Sequence, residues 1–199
     1  MTWRIFCALD IPGGIRQRIR EHVQSLVRSN PDIKASWTNP DSIHLTLKFI
    51  GNIGLDRIPL LSEAAAVAAN GCQAFDLRIG SCGVFPSRSR AKVLWIGVND
   101  PTGELTRLQQ RLELECDKRD FLKEERSFKP HLTIARLRSG GDTKKLVQDH
   151  LATQFPEQNI GVEELIVFRS ELSSDGSIYS AISKHQLSGH REKPIWIPR

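Results

Sequence analysis

Two short runs carry residue types suited to proton transfer, and they match each other. His44-Leu45-Thr46-Leu47 returns as His131-Leu132-Thr133-Ile134. Both read His, aliphatic, Thr, aliphatic, and such strict alternation predicts a half-buried strand. In a strand, residues i and i+2 share a face. His44 and Thr46 therefore point one way and Leu45 and Leu47 the other, and the second run repeats this. Each strand offers an imidazole and a hydroxyl on one side and core-forming side chains on the other. A single His-x-Thr run is weak evidence of function. A repeat of four patterned positions in a chain with only six His is much stronger.

Two imidazoles without a metal suit displacement at phosphorus. One takes a proton from water and the other gives a proton to the leaving alkoxide. The ordinary imidazole pKa of about 6.5 lets the two hold opposite protonation states near neutrality. Charge developing on the phosphoryl oxygens needs donors, and the Thr46 and Thr133 hydroxyls share the histidine faces. A guanidinium would add a two-pronged contact. Arg136 stands at i+3 from Thr133, on the opposite nominal face, and reaches the site only if the strand twists or bulges. Lys48, at i+4 from His44, is expected on its face. His22, His150, His185 and His190 lack such a setting and read as surface residues. Neither strand has the carboxylates or further His near it that a metal hydrolase wants. The four Cys, at 7, 72, 82 and 116, show no metal-binding or disulfide spacing.

The elements that must position these residues follow from hydrophobic period and breakers. A buried strand is predicted over 3–11, then a helix from Pro12-Gly13 to about Ser29, in which Ile15, Ile19, Val23, Leu26 and Val27 recur at helical spacing. A short strand covers 34–38, and the first His strand runs to Gly51. A helix comes next over about 55–70, then strands over 74–79 and 93–98, with a basic loop at 85–92 between them. A third helix starts near Asp100-Pro101 and buries Leu105, Leu108, Leu112 and Cys116. The second His strand begins after Pro130. Ser139-Gly140-Gly141-Asp142 is a turn, and 143–152 a fourth helix. The last strands, about 160–172 and 178–187, are joined by a hairpin turn at Ser173-Ser174-Asp175-Gly176. The tail from Lys193 is loose or an edge. Strands mixed with helices, partly through hairpins, indicate an α+β fold. One His strand and two helices in each half suggest an approximate internal duplication.

The segments Pro40–Gly51 and Phe128–Arg136 closely resemble the paired signature motifs of the two-histidine (2H) phosphoesterase superfamily. Within it, the chain is similar to the RNA 2′,3′-cyclic phosphodiesterases, also called 2′-5′ RNA ligases. Further likeness lies in Arg4–Asp10, Gly83–Pro86, Val93–Val98, Phe168–Leu172 and Gly176–Tyr179, so it covers nearly the whole chain. The resemblance implies one domain, 1–199, of two antiparallel-sheet lobes flanked by helices around a central groove, each lobe carrying one motif (44–47 and 131–134). It implies hydrolysis of an RNA 2′,3′-cyclic phosphate to a 2′-phosphomonoester without metal or cofactor. His44 would be the proton donor and His131 the proton acceptor, with Thr46, Thr133 and Arg136 binding the phosphate. The same site run backwards would join RNA ends through a 2′-5′ linkage.

Composition sets looser bounds. The 199 residues carry 28 Lys and Arg against 23 Asp and Glu, a net charge of +5. This mild excess suits an anionic partner without identifying one. No apolar run approaches the ~20 residues that cross a bilayer, and the first ten residues read as a strand rather than a signal peptide. A cytoplasmic monomer acting on RNA is the expectation. Arg88, Arg90 and Lys92 offer a track for an RNA backbone. Phe49 and Phe85 offer faces for a base, although core packing is the expected role of both, as of Trp37 and Trp95. The alternatives are an RNA-binding module without turnover and a phosphodiesterase for another nucleotide, such as a 2′-5′ oligonucleotide.

Overall fold

The computed structural model describes residues 1–138, 143–153, 155–173 and 176–188. The turn at 139–142, Ser174 and Asp175 of the hairpin, His190 and the tail from Lys193 lie outside the described residues. The strands are β1 (Thr2–Leu9), β2 (Ala35–Trp37), β3 (Leu45–Gly54), β4 (Phe75–Phe85), β5 (Val93–Asn99), β6 (His131–Leu137), β7 (Gln158–Val162), β8 (Glu164–Ser173) and β9 (Gly176–Gln186). The helices are α1 (Gly13–Ser29), α2 (Ile58–Asn70), α3 (Glu104–Asp117) and α4 (Lys144–Ala152).

Two antiparallel sheets form, in the orders β3-β1-β8-β9 and β2-β6-β5-β4-β7. One motif strand sits in each. Neither sheet is a contiguous half of the chain: the first joins strands from both ends, and β2 crosses over to pair with β6. Helix α2 packs on β8, β9 and α3, while α4 packs on β4 and α1. The helices thus cover the faces carrying the aliphatic motif residues, and Leu45, Leu47, Leu132 and Ile134 are all buried. Burying side chains of this size stabilises the fold by about 1.5–3 kcal/mol each.

Two boundaries differ from the sequence expectation. The run expected as one strand over 160–172 breaks at Glu163. Residues before the break pair with β4 in one sheet, and residues after it pair with β1 and β9 in the other. The Glu163 carbonyl accepts a bond from Leu187 N–H at 2.8 Å, which fixes the crossing point. Strand β4 runs on past Ile79 to Phe85 through an irregularity at Ser81, whose φ of 63° and skipped register mark a bulge.

Candidate active site

The two motif strands carry matching bulges. In β3, Cys7 pairs with Lys48 and Ala8 with Thr46, so Leu47 is the extra residue. In β6, Leu94 pairs with Ala135 and Trp95 with Thr133, so Ile134 is the extra residue. Both fall on the fourth motif position. A bulge puts two consecutive side chains on one side and shifts the strand's parity beyond it. Leu47 and Lys48 are both buried, as are Ile134 and Ala135.

This shift decides the two doubtful residues. Arg136 returns to the face of His131 and Thr133 and is exposed there. Lys48 leaves the face of His44, which corrects the expectation from unbroken alternation. Its ammonium is buried, where it pairs with Glu113 and donates to the Leu122 carbonyl at 2.7 Å. Thr46 remains on the open face, exposed, and Thr133 is half-buried.

The histidines are held alike. His44 Nδ1–H donates to the Ser42 carbonyl at 2.9 Å, and His131 Nδ1–H donates to the Lys129 carbonyl at 2.6 Å. Each bond returns to residue i−2, which for His44 is the end of the helical turn Pro40–Ser42 and for His131 lies just ahead of the strand. It fixes the ring and its tautomer, leaving Nε2 as the free nitrogen in the neutral form. Around His44, the Phe6 ring stacks at 4.5 Å and Tyr179 meets it edge-on at 4.9 Å, with Phe168 behind Phe6. Phe85 meets His131 edge-on at 5.0 Å, and Trp95 lies at 6.5 Å. Gly83 makes room for this packing, since a Cβ there would fall 2.0 Å from the Trp95 ring. Strands β3 and β6 are in contact across the two sheets.

Burial pushes both imidazoles below their ordinary pKa, and the nearby charges then differ. At His44 the Ser42 bond and the Asp10 carboxylate favour the proton, while Arg16, ion-paired to Asp10, opposes it. At His131 the Lys129 bond favours the proton and the Arg136 guanidinium opposes it. Burial thus favours the neutral form of both, and only the lesser influences differ, with a carboxylate near His44 and a guanidinium near His131.

Sequence reasoning misses Phe6, Phe168 and Tyr179 as ring supports. Each looks like an ordinary strand aromatic, and only pairing across three strands gathers them. Phe49, expected in the core, is instead 52% exposed. Arg88 and Arg90 are exposed on a single helical turn beside the start of β5.

His22 and His150 also correct the sequence reading, because both are buried. His150 Nε2 faces the Gly83 and Trp95 carbonyls at 3.1 and 3.2 Å, so it carries a proton. His150 Nδ1 therefore accepts, from His22 Nε2–H at 3.0 Å. With Cys82 these rings form a group whose ligand atoms lie within 4.8 Å of one another. Hydrogen bonds already satisfy the nitrogens that would bind a metal, and the group is a buried tie between α1, α4 and the second sheet.

The family model for the 2′-5′ RNA ligase superfamily matches residues 15–173. The chain belongs to this superfamily. It is 30% identical over 190 residues to an RNA 2′,3′-cyclic phosphodiesterase of Methanothermobacter thermautotrophicus, covering 94% of this chain and 100% of that one. A Thermotoga maritima protein of the same name is 28% identical, with 94% and 96% covered. Superfamily folds match too. The apo crystal structure of Escherichia coli LigT superposes with a TM-score of 0.74 at 24% identity, covering 93% of this chain and 97% of that one. The LigT complex with 3′-AMP gives 0.73 at 23%, with 94% and 99% covered. The α+β architecture is therefore shared with this group. Among the described residues no helix is long and apolar enough to cross a membrane.

Proposed function

We propose that this superfamily member hydrolyses RNA 2′,3′-cyclic phosphate ends to 2′-phosphomonoesters by two-histidine acid–base catalysis, without a metal or other cofactor. The observation that carries the reading is the matched pair of imidazoles, each tied at Nδ1 and free at Nε2, on adjoining strands from different sheets. Relatives bearing the name of this activity along nearly their whole length support it.

In this mechanism His131 Nε2 takes a proton from water as the water oxygen attacks phosphorus. The bond from phosphorus to O3′ breaks, and His44 Nε2 gives its proton to that oxygen. The product carries a 3′-hydroxyl and a 2′-phosphate, and solvent exchange resets the histidines. Thr46, Thr133 and Arg136 hold the phosphoryl oxygens as charge builds on them. This reading takes His44, with the Asp10 carboxylate nearby, as the acid and His131, with the Arg136 guanidinium nearby, as the base. When a 5′-hydroxyl replaces water as the nucleophile, the same proton transfers break the bond to O3′ and form a 2′-5′ linkage. Hydrolysis prevails unless two ends are held together, which is a matter of effective concentration. Residues 1–199 act as one two-lobed unit, a monomer working on RNA in the cytoplasm.

The test is hydrolysis of an RNA 2′,3′-cyclic end in the presence of a chelator, with the product phosphate located, for wild type, His44→Ala and His131→Ala. The expected result is a 2′-phosphate product from wild type and a loss of about 10²–10⁴-fold in each variant. RNA binding without turnover by wild type would overturn the reading in favour of a binding module.

A further inference from the structure

A buried histidine outside the site reaches the backbone of β4 and β5. His150, on α4, is 0% exposed. Its Nε2–H lies 3.1 Å from the Gly83 carbonyl and 3.2 Å from the Trp95 carbonyl. Those two residues pair with each other across β4 and β5. Both stand next to irregularities. Gly83 lies two residues past the bulge at Ser81, and Trp95 adjoins the register shift made by the Ile134 bulge. A bulge disrupts the ladder locally and leaves room for a side-chain donor to serve the carbonyls there. His22 Nε2–H donates to His150 Nδ1 at 3.0 Å, which keeps the proton of His150 on the nitrogen that faces the carbonyls.

The same two residues build the wall against His131. The Trp95 ring lies 6.5 Å from the His131 ring and 5.2 Å from Phe85, and Phe85 meets His131 edge-on at 5.0 Å. The Trp95 ring fits there only because residue 83 has no Cβ in its path. Trp95 also pairs with Thr133. A shift of the Gly83–Trp95 pair therefore moves both the ring wall and a motif residue. The imidazole needs that wall. Its bond to the Lys129 carbonyl sets the tautomer but leaves the ring free to swing about that contact. Rings packed at its side remove the swing. His44 has a separate wall in the other sheet, where Phe6 packs on both Phe168 and Tyr179.

We propose that His150, oriented by His22, is a positioning residue for His131. This rests on the function proposed above, in which His131 is the base. His150 pins the Gly83 and Trp95 backbone, the Trp95 and Phe85 rings hold the imidazole, and Nε2 stays aimed at the attacking water. Fully buried, His150 touches no substrate and acts only through these groups. Its effect falls on one catalytic histidine, because His44 lies against the other sheet. A reacting group displaced by about 1 Å costs on the order of 10²-fold in rate. A hydrogen bond two contacts away from the chemistry is therefore enough to govern it.

The test compares His150→Leu, which has no hydrogen-bonding group, with His150→Gln, whose amide N–H can replace Nε2–H. Trp95→Leu, alone and combined with His150→Leu, tests the link. Thermal melting sets an assay temperature at which each protein is folded. Nitrogen-15 NMR of the imidazoles reports the tautomer at His131 and at His44, and hydrolysis of an RNA 2′,3′-cyclic end gives kcat and KM. In His150→Leu, kcat and kcat/KM are expected to fall together by about 10–100-fold. His131 loses its single Nδ1–H tautomer while His44 keeps its own. His150→Gln recovers most of both. Trp95→Leu reproduces the loss, and the double variant is no worse than the more damaged single one. Wild-type kcat in folded His150→Leu, or an equal disturbance of His44 and His131, overturns the role. If His150→Leu does not fold, the Trp95→Leu spectra decide: a disturbed His131 beside an unchanged His44 supports the role, and an unchanged His131 overturns it. Turnover by wild type with His131 indifferent to His150 removes the connection and keeps the hydrolase. No turnover by wild type, with His131 still ordered by His150, does the reverse.

Discussion

At the scale of single residues, the two imidazoles share sequence context, backbone anchor and burial, yet their charged neighbours differ. Asp10 and Arg16 act on His44, and Arg136 acts on His131. A cation near an imidazole disfavours its protonated form. Replacing Arg136 with Gln therefore raises the pKa of His131. If His131 is the base, the acid-side limb of the kcat/KM profile moves to higher pH, because the base is lost to protonation sooner. The optimum rate also falls, by about 10²-fold for the loss of one phosphate donor. An acid limb that stays in place in Arg136→Gln, in a pH–rate series at constant ionic strength, would separate Arg136 from the base.

Elements explain why side chains that alternation placed wrongly end where they do. Leu47 and Ile134 are each the extra residue of a bulge, and each reverses the parity of the residues beyond it. Lys48 is thereby moved from the catalytic face into a buried ion pair with Glu113. Removing one partner of such a pair leaves the other charge buried and alone, a cost of about 3–5 kcal/mol. Lys48→Ala is expected to lower the unfolding free energy by that amount in urea titration, while the folded fraction keeps its kcat/KM within about twofold. A tenfold loss of kcat/KM in fully folded Lys48→Ala would return Lys48 to the site. The same reasoning makes Gly83 part of the support for His131, since the Trp95 ring occupies the space a side chain would need.

Across the whole molecule, the buried His22–His150 bond ties α1 to α4 and, through the Gly83 and Trp95 carbonyls, to the sheet bearing β6. Burial, with His150 beside it, pushes His22 down to about 4. An unfolded His takes its proton near 6.5. Above that pH both states are neutral and the contribution to stability is complete. As pH falls from 6.5 toward 4 the unfolded state binds protons that the folded state refuses, and stability drops, on the order of 3 kcal/mol by the end of that window. His22→Gln is expected to be less stable than wild type at pH 7.5 and to show a shallower loss between pH 6.5 and 4 in thermal melts. Parallel pH curves for the two proteins would show that His22 does not govern the acid response.

Local sequence is enough to specify the α+β class, most of the helices, the paired motifs and the superfamily. These depend on short-range signals: the period of apolar residues, the breakers, and a repeated four-residue pattern whose parity holds from His to Thr. Beyond that reach, packing between distant segments takes over. Glu163 divides an apparently continuous strand because its two parts find partners in different sheets. Arg136 and Lys48 exchange the faces that simple alternation gave them, because a bulge is set by the pairing with the neighbouring strand rather than by the bulged residue's type. Phe6, Phe168 and Tyr179 gather at His44, and His22 and His150 meet in the interior, because strands and helices distant in sequence pack together. A strand's own residues specify its alternation, but its partners determine where that alternation breaks and which side chains share a site.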